Sequence, residues 1–151
     1  MPATVREARE ADLPRIVELL AQLSFDAEQH ERPHSPEAYL DVFREIAADP
    51  RQQLLVAEAD GRVVGSLVLV IIANLSRRAK PYAIVENVIV DEAARGGGIG
   101  EVMLHHAIEE ARRAGCYKLS LTSNKRRGDA HRFYERVGLT PSHEGFRYYF
   151  D

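Results

Sequence analysis

Cysteine occurs once in this chain, at Cys116, so neither an intrachain disulfide nor a cysteine-rich zinc site is available. No pattern around it supplies a base for a reactive thiol, and its place just after Gly115, between a helix and a strand, suits a small buried side chain. Excess charge of one sign is also missing. The formal net charge is −3 and the pI is near 6.1, which argues against a dedicated nucleic-acid binder, and no RNP or helix-turn-helix pattern is present. The longest apolar stretch, Val63 to Ala73, is interrupted by Gly65 and Ser66 and is too short to span a bilayer. The N-terminus carries no charged start followed by an apolar run. These absences predict a cytoplasmic protein with neither membrane nor nucleic acid as a partner. The six histidines show no H-E-x-x-H, His105 and His106 are adjacent and face different directions on a helix, and Pro33 argues against a helix joining His30 and His34. No metal is expected.

What is present is a chain of 151 residues, 45% apolar, which is one domain by length and has enough apolar content for a core. Thr4 to Ala8 reads as a short strand, and Asp12 as the cap of a helix bearing Leu13, Ile16, Val17, Leu20 and Leu23. Residues 24 to 35 read as a loop, and Ser35 and Pro36 start a second helix whose apolar face is Tyr39, Leu40, Phe43 and Ile46 and which Asp49-Pro50 ends. Gln53 to Ala59 and Arg62 to Ala73 form a hairpin about Asp60-Gly61. A basic loop, Asn74 to Pro81, leads to a central strand, Tyr82 to Val90. A helix from about Gly98 to Ala114, a strand from Lys118 to Thr122, a short helix around Asp129 to Arg136 and a final strand from Phe146 to Phe150 complete the order. The expectation is a mixed α/β layout without linker, repeat or low-complexity segment.

The segment Val88 to Gly100, V-I-V-D-E-A-A-R-G-G-G-I-G, carries the strongest chemical signal. An apolar strand enters a turn containing Gly96, Gly97, Gly98 and Gly100, whose lack of side chains brings backbone N–H groups close to a ligand, and the following helix aims its positive end at the same place. A phosphate fits that description. The dinucleotide fingerprint fails, because it needs glycine at Glu101 or Met103, and the triphosphate loop fails, because it needs glycine at Glu101 and lysine at Val102. A glycine-rich helix entry without a ligand is the plainer alternative. Within the central strand, Glu86 and Asn87 are the only polar residues of Ile84 to Val90, so each needs a partner or a wet cleft. A satisfied polar pair at a bulge is one reading; the other is that Glu86 lines a cleft and accepts a proton. In Asn124 to Leu139, N-K-R-R-G-D-A-H-R-F-Y-E-R-V-G-L, Ala130, Phe133, Tyr134 and Val137 share one helix face and Gly138 is placed to end the helix.

The pattern R-x-x-G-x-G at Arg95, Gly98 and Gly100, together with F-Y-E-x-x-G-[FL] at Phe133 to Leu139, resembles the GNAT N-acetyltransferases. The resemblance implies the GNAT fold, a mixed central sheet of about six to seven strands flanked by about four helices, over a single domain spanning 1–151. It implies acetyl-CoA as co-substrate and direct attack by a primary amine in a ternary complex. The pyrophosphate would be held by Arg95 and the N–H groups of Gly96, Gly97, Gly98, Ile99, Gly100 and Glu101. The backbone of Val88, Ile89 and Val90 would pair with the pantetheine arm, and the N–H of Val88 or Ile89 would face the oxyanion. Asn124 matches an asparagine that contacts pantetheine, and Tyr134 the tyrosine that protonates the leaving thiolate, for which a phenol near pKa 10 is suited. Glu86 would take the proton of the incoming ammonium, directly or through water. Lys125, Arg126 or Arg127 would reach the 3′-phosphate, or form a solvated charge run.

The acceptor is expected to be a small-molecule amine, bounded by the first helices, the loop from Ser24 to Ser35 and the loop from Asn74 to Tyr82. Arg77, Arg78 and Lys80 either receive an anionic group of that amine or are simply exposed. E-N-V-I-V-D, G-C-Y-K and F-Y-E-R-V-G also resemble the glucosamine-6-phosphate members of the family, with two departures: Thr122 and Asn87 stand where those carry acids. Protein or peptide amines, a non-catalytic acyl-CoA sensor, and a nucleic-acid module using Lys125 to Arg132 are the rival readings. A homodimer through the terminal strand, with Phe146, Tyr148 and Phe150 on one face, is a further expectation.

Overall fold

The computed structural model describes residues 2–23 and 34–150, so most of the loop expected over 24–35 lies outside the described residues. Five strands form one sheet in the order β1 (Thr4–Glu7), β2 (Gln52–Ala59), β3 (Arg62–Ile72), β4 (Tyr82–Val90) and β5 (Leu119–Ser120). The first three junctions are antiparallel and the last is parallel. The sheet therefore has fewer strands than expected. Phe146 to Phe150 alternates like a strand but has no ladder partner among the described residues, and without ladder hydrogen bonds the alternation alone does not make a strand. Phe146, Tyr148 and Phe150 stay exposed. No helix of the described residues is long and apolar enough to cross a membrane.

The helices are α1 (Leu13–Leu20), α2 (Pro36–Ala48), the four-residue α3 (Ser76–Ala79), α4 (Ile99–Arg113) and α5 (Gly128–Val137). Ser35 caps α2 by accepting from the Ala38 N–H at 3.3 Å, ahead of Pro36 in the first turn. Asp60 and Gly61 both take positive φ, 53° and 74°, which matches the twist of the hairpin they close. The expected loop from Asn74 to Pro81 contains α3, in which Arg77 and Arg78 are left-handed. The Arg77 guanidinium lies 5.2 Å from the centre of the Tyr117 ring.

Apolar side chains fill both faces of the sheet. On one face Leu55, Leu67, Leu69 and Val85 pack with Met103, Leu104, Ala107 and Ala111 of α4. On the other, Val56, Val63 and Ile89 pack with Ile16 and Leu19 of α1. Fully burying one such side chain is worth about 1.5–3 kcal/mol, so the two layers together hold the sheet between α4 and α1. Gly65 is part of this fit: a Cβ there would sit 2.9 Å from the Met103 methyl group. Buried Ser66, an interruption in the apolar run, donates its hydroxyl to the Leu55 carbonyl at 3.0 Å.

Asp12 does not cap α1. Its carboxylate turns back to accept from the Arg9 N–H at 2.8 Å and from the Arg6 guanidinium at 2.7 and 3.0 Å, because Arg6 on β1 offers a charged fork where the helix offers neutral donors. A second brace ties α1 to the exit of β4. Arg15 donates to Asp91 at 2.5 Å and to the Val63 carbonyl at 2.9 Å, while Gln22 contacts the Asp91 carboxylate and accepts from the Glu92 N–H.

Arg6 and Arg15 hold the Asp12 and Asp91 carboxyls, respectively, below the ordinary carboxylate range. A lowered folded-state pKa contributes stability that is fully present above the unfolded value near 3.9 and is lost as pH falls through the folded value. Asp91→Asn is therefore expected to cost about 2 kcal/mol near neutral pH. In urea melts the gap between wild type and variant should shrink below about pH 4. A gap independent of pH would mean that the Asp91 charge does not brace the fold.

Candidate active site

Strands β4 and β5 pair only through Ala83 with Leu119 and Ile84 with Ser120. Beyond Ile84, β4 runs on for six residues without β5 beside it, and the gap opens into a cleft of about 710 Å³. A bulge helps to turn β4 away. Ser66 pairs with Ile89 and Val68 with Glu86, so Asn87 and Val88 together face Leu67, and Asn87 takes a left-handed φ of 53°. Glu86 and Asn87 are both exposed. The bulge of one of the two readings is present, but the two side chains are exposed to water and are not a satisfied buried pair.

The cleft is lined by Val88, Ile89 and Val90 on one side and by Arg95, Gly96, Gly98, Ile99, Gly100 and Glu101 on another. A single turn, Glu92–Ala94, joins them, capped by the Asp91 carboxylate on the Ala93 N–H. Gly96 and Gly98 have φ of 87° and 80°, a conformation that costs other residues roughly 1–2 kcal/mol. Gly98, the expected helix start, is the residue just before α4, and no side chain caps that helix, so its first N–H groups face the cleft. Gly100 has a second job that the motif does not reveal: a Cβ there would sit 3.0 Å from Phe133, so glycine lets α5 approach α4. Gly97 belongs to the loop but does not line the cleft.

The opposite wall comes from α5 and the turn before it: Arg126, Arg127, Ala130, Phe133, Tyr134 and Arg136. Four arginines, Arg95, Arg126, Arg127 and Arg136, face two acids, Glu101 and Asp129, so the cleft favours anions. Arg136, 5.9 Å from the Phe133 ring centre, has no signal of its own within F-Y-E-R-V-G and so escapes a motif reading. Tyr134 is buried, and burial holds its phenol above the ordinary value against the opposing pull of the Arg127 cation. It therefore stays a protonated donor at neutral pH. Burial likewise pushes the Cys116 thiol up, away from thiolate character.

Tyr134 also lines a second cleft, of about 650 Å³, formed with Leu121 to Arg126, His131 and the segment from Leu139 to Tyr149. Asn124 lies in this second cleft and not in the first; its side chain accepts from the Arg126 N–H at 2.9 Å. Glu86 lines neither cleft.

The model of the acetyltransferase (GNAT) family matches residues 13–139 of the chain. This protein belongs to the GNAT family. Over 150 residues it is 33% identical to glucosamine 6-phosphate N-acetyltransferase 1 of Oryza sativa subsp. japonica, covering 97% of this chain and 86% of that one. Over 110 residues it is 36% identical to the aminoalkylphosphonate N-acetyltransferase of Salmonella typhimurium, covering 73% and 71% of the two chains. A solved structure described as a transcriptional regulator from Bacillus halodurans C-125 superposes with a TM-score of 0.91 at 38% identity, covering 99% of this chain and all of that one. The fold is the GNAT fold, and the chain is an N-acetyltransferase.

For this GNAT chain the left-handed Gly98 offers the sharpest test of the loop. Gly98→Ala meets no steric neighbour, so only its backbone conformation is strained. It should lower stability by about 1 kcal/mol and weaken CoA binding several-fold by calorimetry. The control Gly61→Ala, at the similarly left-handed hairpin turn, should lower stability while leaving CoA affinity unchanged. Equal CoA affinity in both variants would mean that the loop does not hold the ligand.

Proposed function

We propose that this chain moves the acetyl group of acetyl-CoA to the primary amine of a small molecule that carries a phosphate or phosphonate, an aminosugar phosphate being one candidate. The observation that carries the reading is that Tyr134 forms a wall common to both clefts. The first cleft has the arginines and free helix N–H groups suited to a pyrophosphate. The second gives an acceptor a path to the same hydroxyl. Support for the acceptor class comes from the substrates in the names of the rice and Salmonella relatives, both of them amines bearing a phosphorus oxyanion.

Each chemical demand falls to a residue of this chain. Arg95 and the N–H groups from Gly96 to Glu101 hold the pyrophosphate, and Arg127 reaches the 3′-phosphate. The edge of β4 from Val88 to Val90, left without a strand partner by β5, offers its backbone to the pantetheine amides as an added strand would. Asn124 touches the arm near its thioester end. Glu86, exposed at the bulge, takes the proton of the ammonium directly or through water, leaving the nitrogen lone pair free to attack the thioester carbon. The N–H of Val88 or Ile89 steadies the oxyanion that forms, and the nitrogen sheds its surplus proton to solvent as the intermediate collapses. Tyr134 gives its proton to sulfur as the carbon–sulfur bond breaks, and recovers one from solvent.

A thiol-release assay with acetyl-CoA across a panel of amines tests this. Tyr134→Phe should lower kcat roughly 100-fold with little change in the KM for acetyl-CoA, because the hydroxyl acts on the leaving group. Wild-type protein that binds CoA yet turns over no amine would overturn the acceptor reading and favour a regulatory acyl-CoA binder. An unchanged kcat in Tyr134→Phe would remove the tyrosine from the chemistry.

A further inference from the structure

The end of the segment after α5 is exposed: Phe146, Tyr148, Tyr149 and Phe150 all meet solvent, and Arg147 and Tyr149 also line the second cleft. Gly145 fixes this arrangement by lying against Thr122, whose methyl group would be 3.1 Å from a Cβ at that position. Arg147 then donates to the Thr122 hydroxyl at 3.1 Å and to the Tyr149 hydroxyl at 3.0 Å. Both acceptors are neutral, and two donations leave most of the five guanidinium N–H donors unspent. Among the described residues no carboxylate pairs with Arg147, a state it shares with the cleft arginines Arg95, Arg126, Arg127 and Arg136 and not with Arg6 or Arg15.

Two observations relate this cation to the reacting centre. Arg147 and Tyr134 line the same cavity. The Arg147 guanidinium is held above its ordinary pKa first by the Tyr149 hydroxyl bond, and the Glu86 carboxylate adds to the effect across space. Arg147 and Tyr134 thus share this cleft while Glu86 lies outside its lining: a fork for an oxyanion, an acid for a thiolate and a base for an ammonium. An amine carrying a negative group satisfies the first and the last at once. A neutral amine leaves the fork unpaired, which disfavours it.

We propose that Arg147 is the acceptor-specificity residue of this enzyme, binding the tetrahedral phosphorus oxyanion of the substrate in the second cleft while the substrate's amine lies toward Glu86. The proposal rests on the acceptor reading above and assigns it a residue. It also gives Thr122 a purpose: its hydroxyl orients the guanidinium without neutralising it.

Two measurements test it. In the first, glucosamine 6-phosphate is compared with glucosamine, and 2-aminoethylphosphonate with ethylamine, in wild type, Arg147→Gln and Arg147→Lys. The ratio of kcat/KM for the charged over the neutral member of each pair should fall roughly 10- to 100-fold in Arg147→Gln and recover in part in Arg147→Lys. The pair with the larger wild-type ratio tells a sugar phosphate from a phosphonate. A ratio that does not move, with both members losing activity alike, would overturn the assignment by showing a merely structural role. The second measurement needs no turnover. Titration of inorganic phosphate into the wild-type protein, followed by the NMR signals of arginine Nε–H groups, should shift a resonance that is missing from Arg147→Gln. If phosphate leaves that resonance in place, the proposal fails even where amines are acetylated. If it moves while no amine is acetylated, the oxyanion site stands and the acceptor reading fails.

Discussion

Everything at the site depends on β4 losing its partner. For two residue pairs β4 and β5 are ordinary parallel neighbours, and then β4 continues alone. An unpaired strand edge in a sheet interior leaves backbone N–H and C=O groups needing hydrogen bonds, a cost that a sheet normally avoids by closing the gap. Here the gap is kept open from both sides. The bulge at Asn87 and Val88 bends β4, and α5, packed on α4 through Gly100 and Phe133, forms the far wall. The same opening leaves the edge of β4 bare beside a cleft that a buried tyrosine lines.

The strand must be stiff for its edge to serve as a template. Its two faces are clamped by different elements: Val85 lies in the layer with α4, and Ile89 in the layer with α1. Where β4 ends, the charged contact between Arg15 and Asp91 and the two bonds from Gln22 fasten α1 to the turn that leads into the glycine loop. Loop glycines are free in conformation by themselves, so the rigid parts on either side set their positions. The loop from Arg95 to Gly98 is short enough that fixing Asp91 and Ile99 confines it.

Sequence reading recovers what is local. The glycine turn, the helix it opens, the hairpin at Asp60-Gly61 and the cap at Ser35 each rest on neighbouring residues whose conformational preferences are strong, and each stands as read. Contacts between distant segments were hidden. Gly100 reads as a ligand glycine until Phe133, from another helix, is found against it. Asp12 reads as a cap until Arg6 outbids the helix for its carboxylate. The terminal F-R-Y-Y-F reads as a strand because its aromatic residues alternate, yet the segment is exposed and meets no ladder partner among the described residues. Arg147 carries no motif; only the path of the chain brings it to Tyr134. Glu86 is legible as an anomaly in an apolar strand, while the bulge is only one of two readings open there and the left-handed Asn87 that forms it leaves no signal in the sequence.

The central claim is that the opened edge of β4, the glycine loop and Tyr134 act on one ligand. The structure of this chain with CoA bound tests it most directly. The account predicts pyrophosphate oxygens on the N–H groups between Gly96 and Glu101, pantetheine amides on the backbone of Val88 to Val90, and the sulfur within hydrogen-bond reach of the Tyr134 hydroxyl. CoA bound through Lys125 to Arg127 alone, with the glycine loop bare and its sulfur remote from Tyr134, would contradict it.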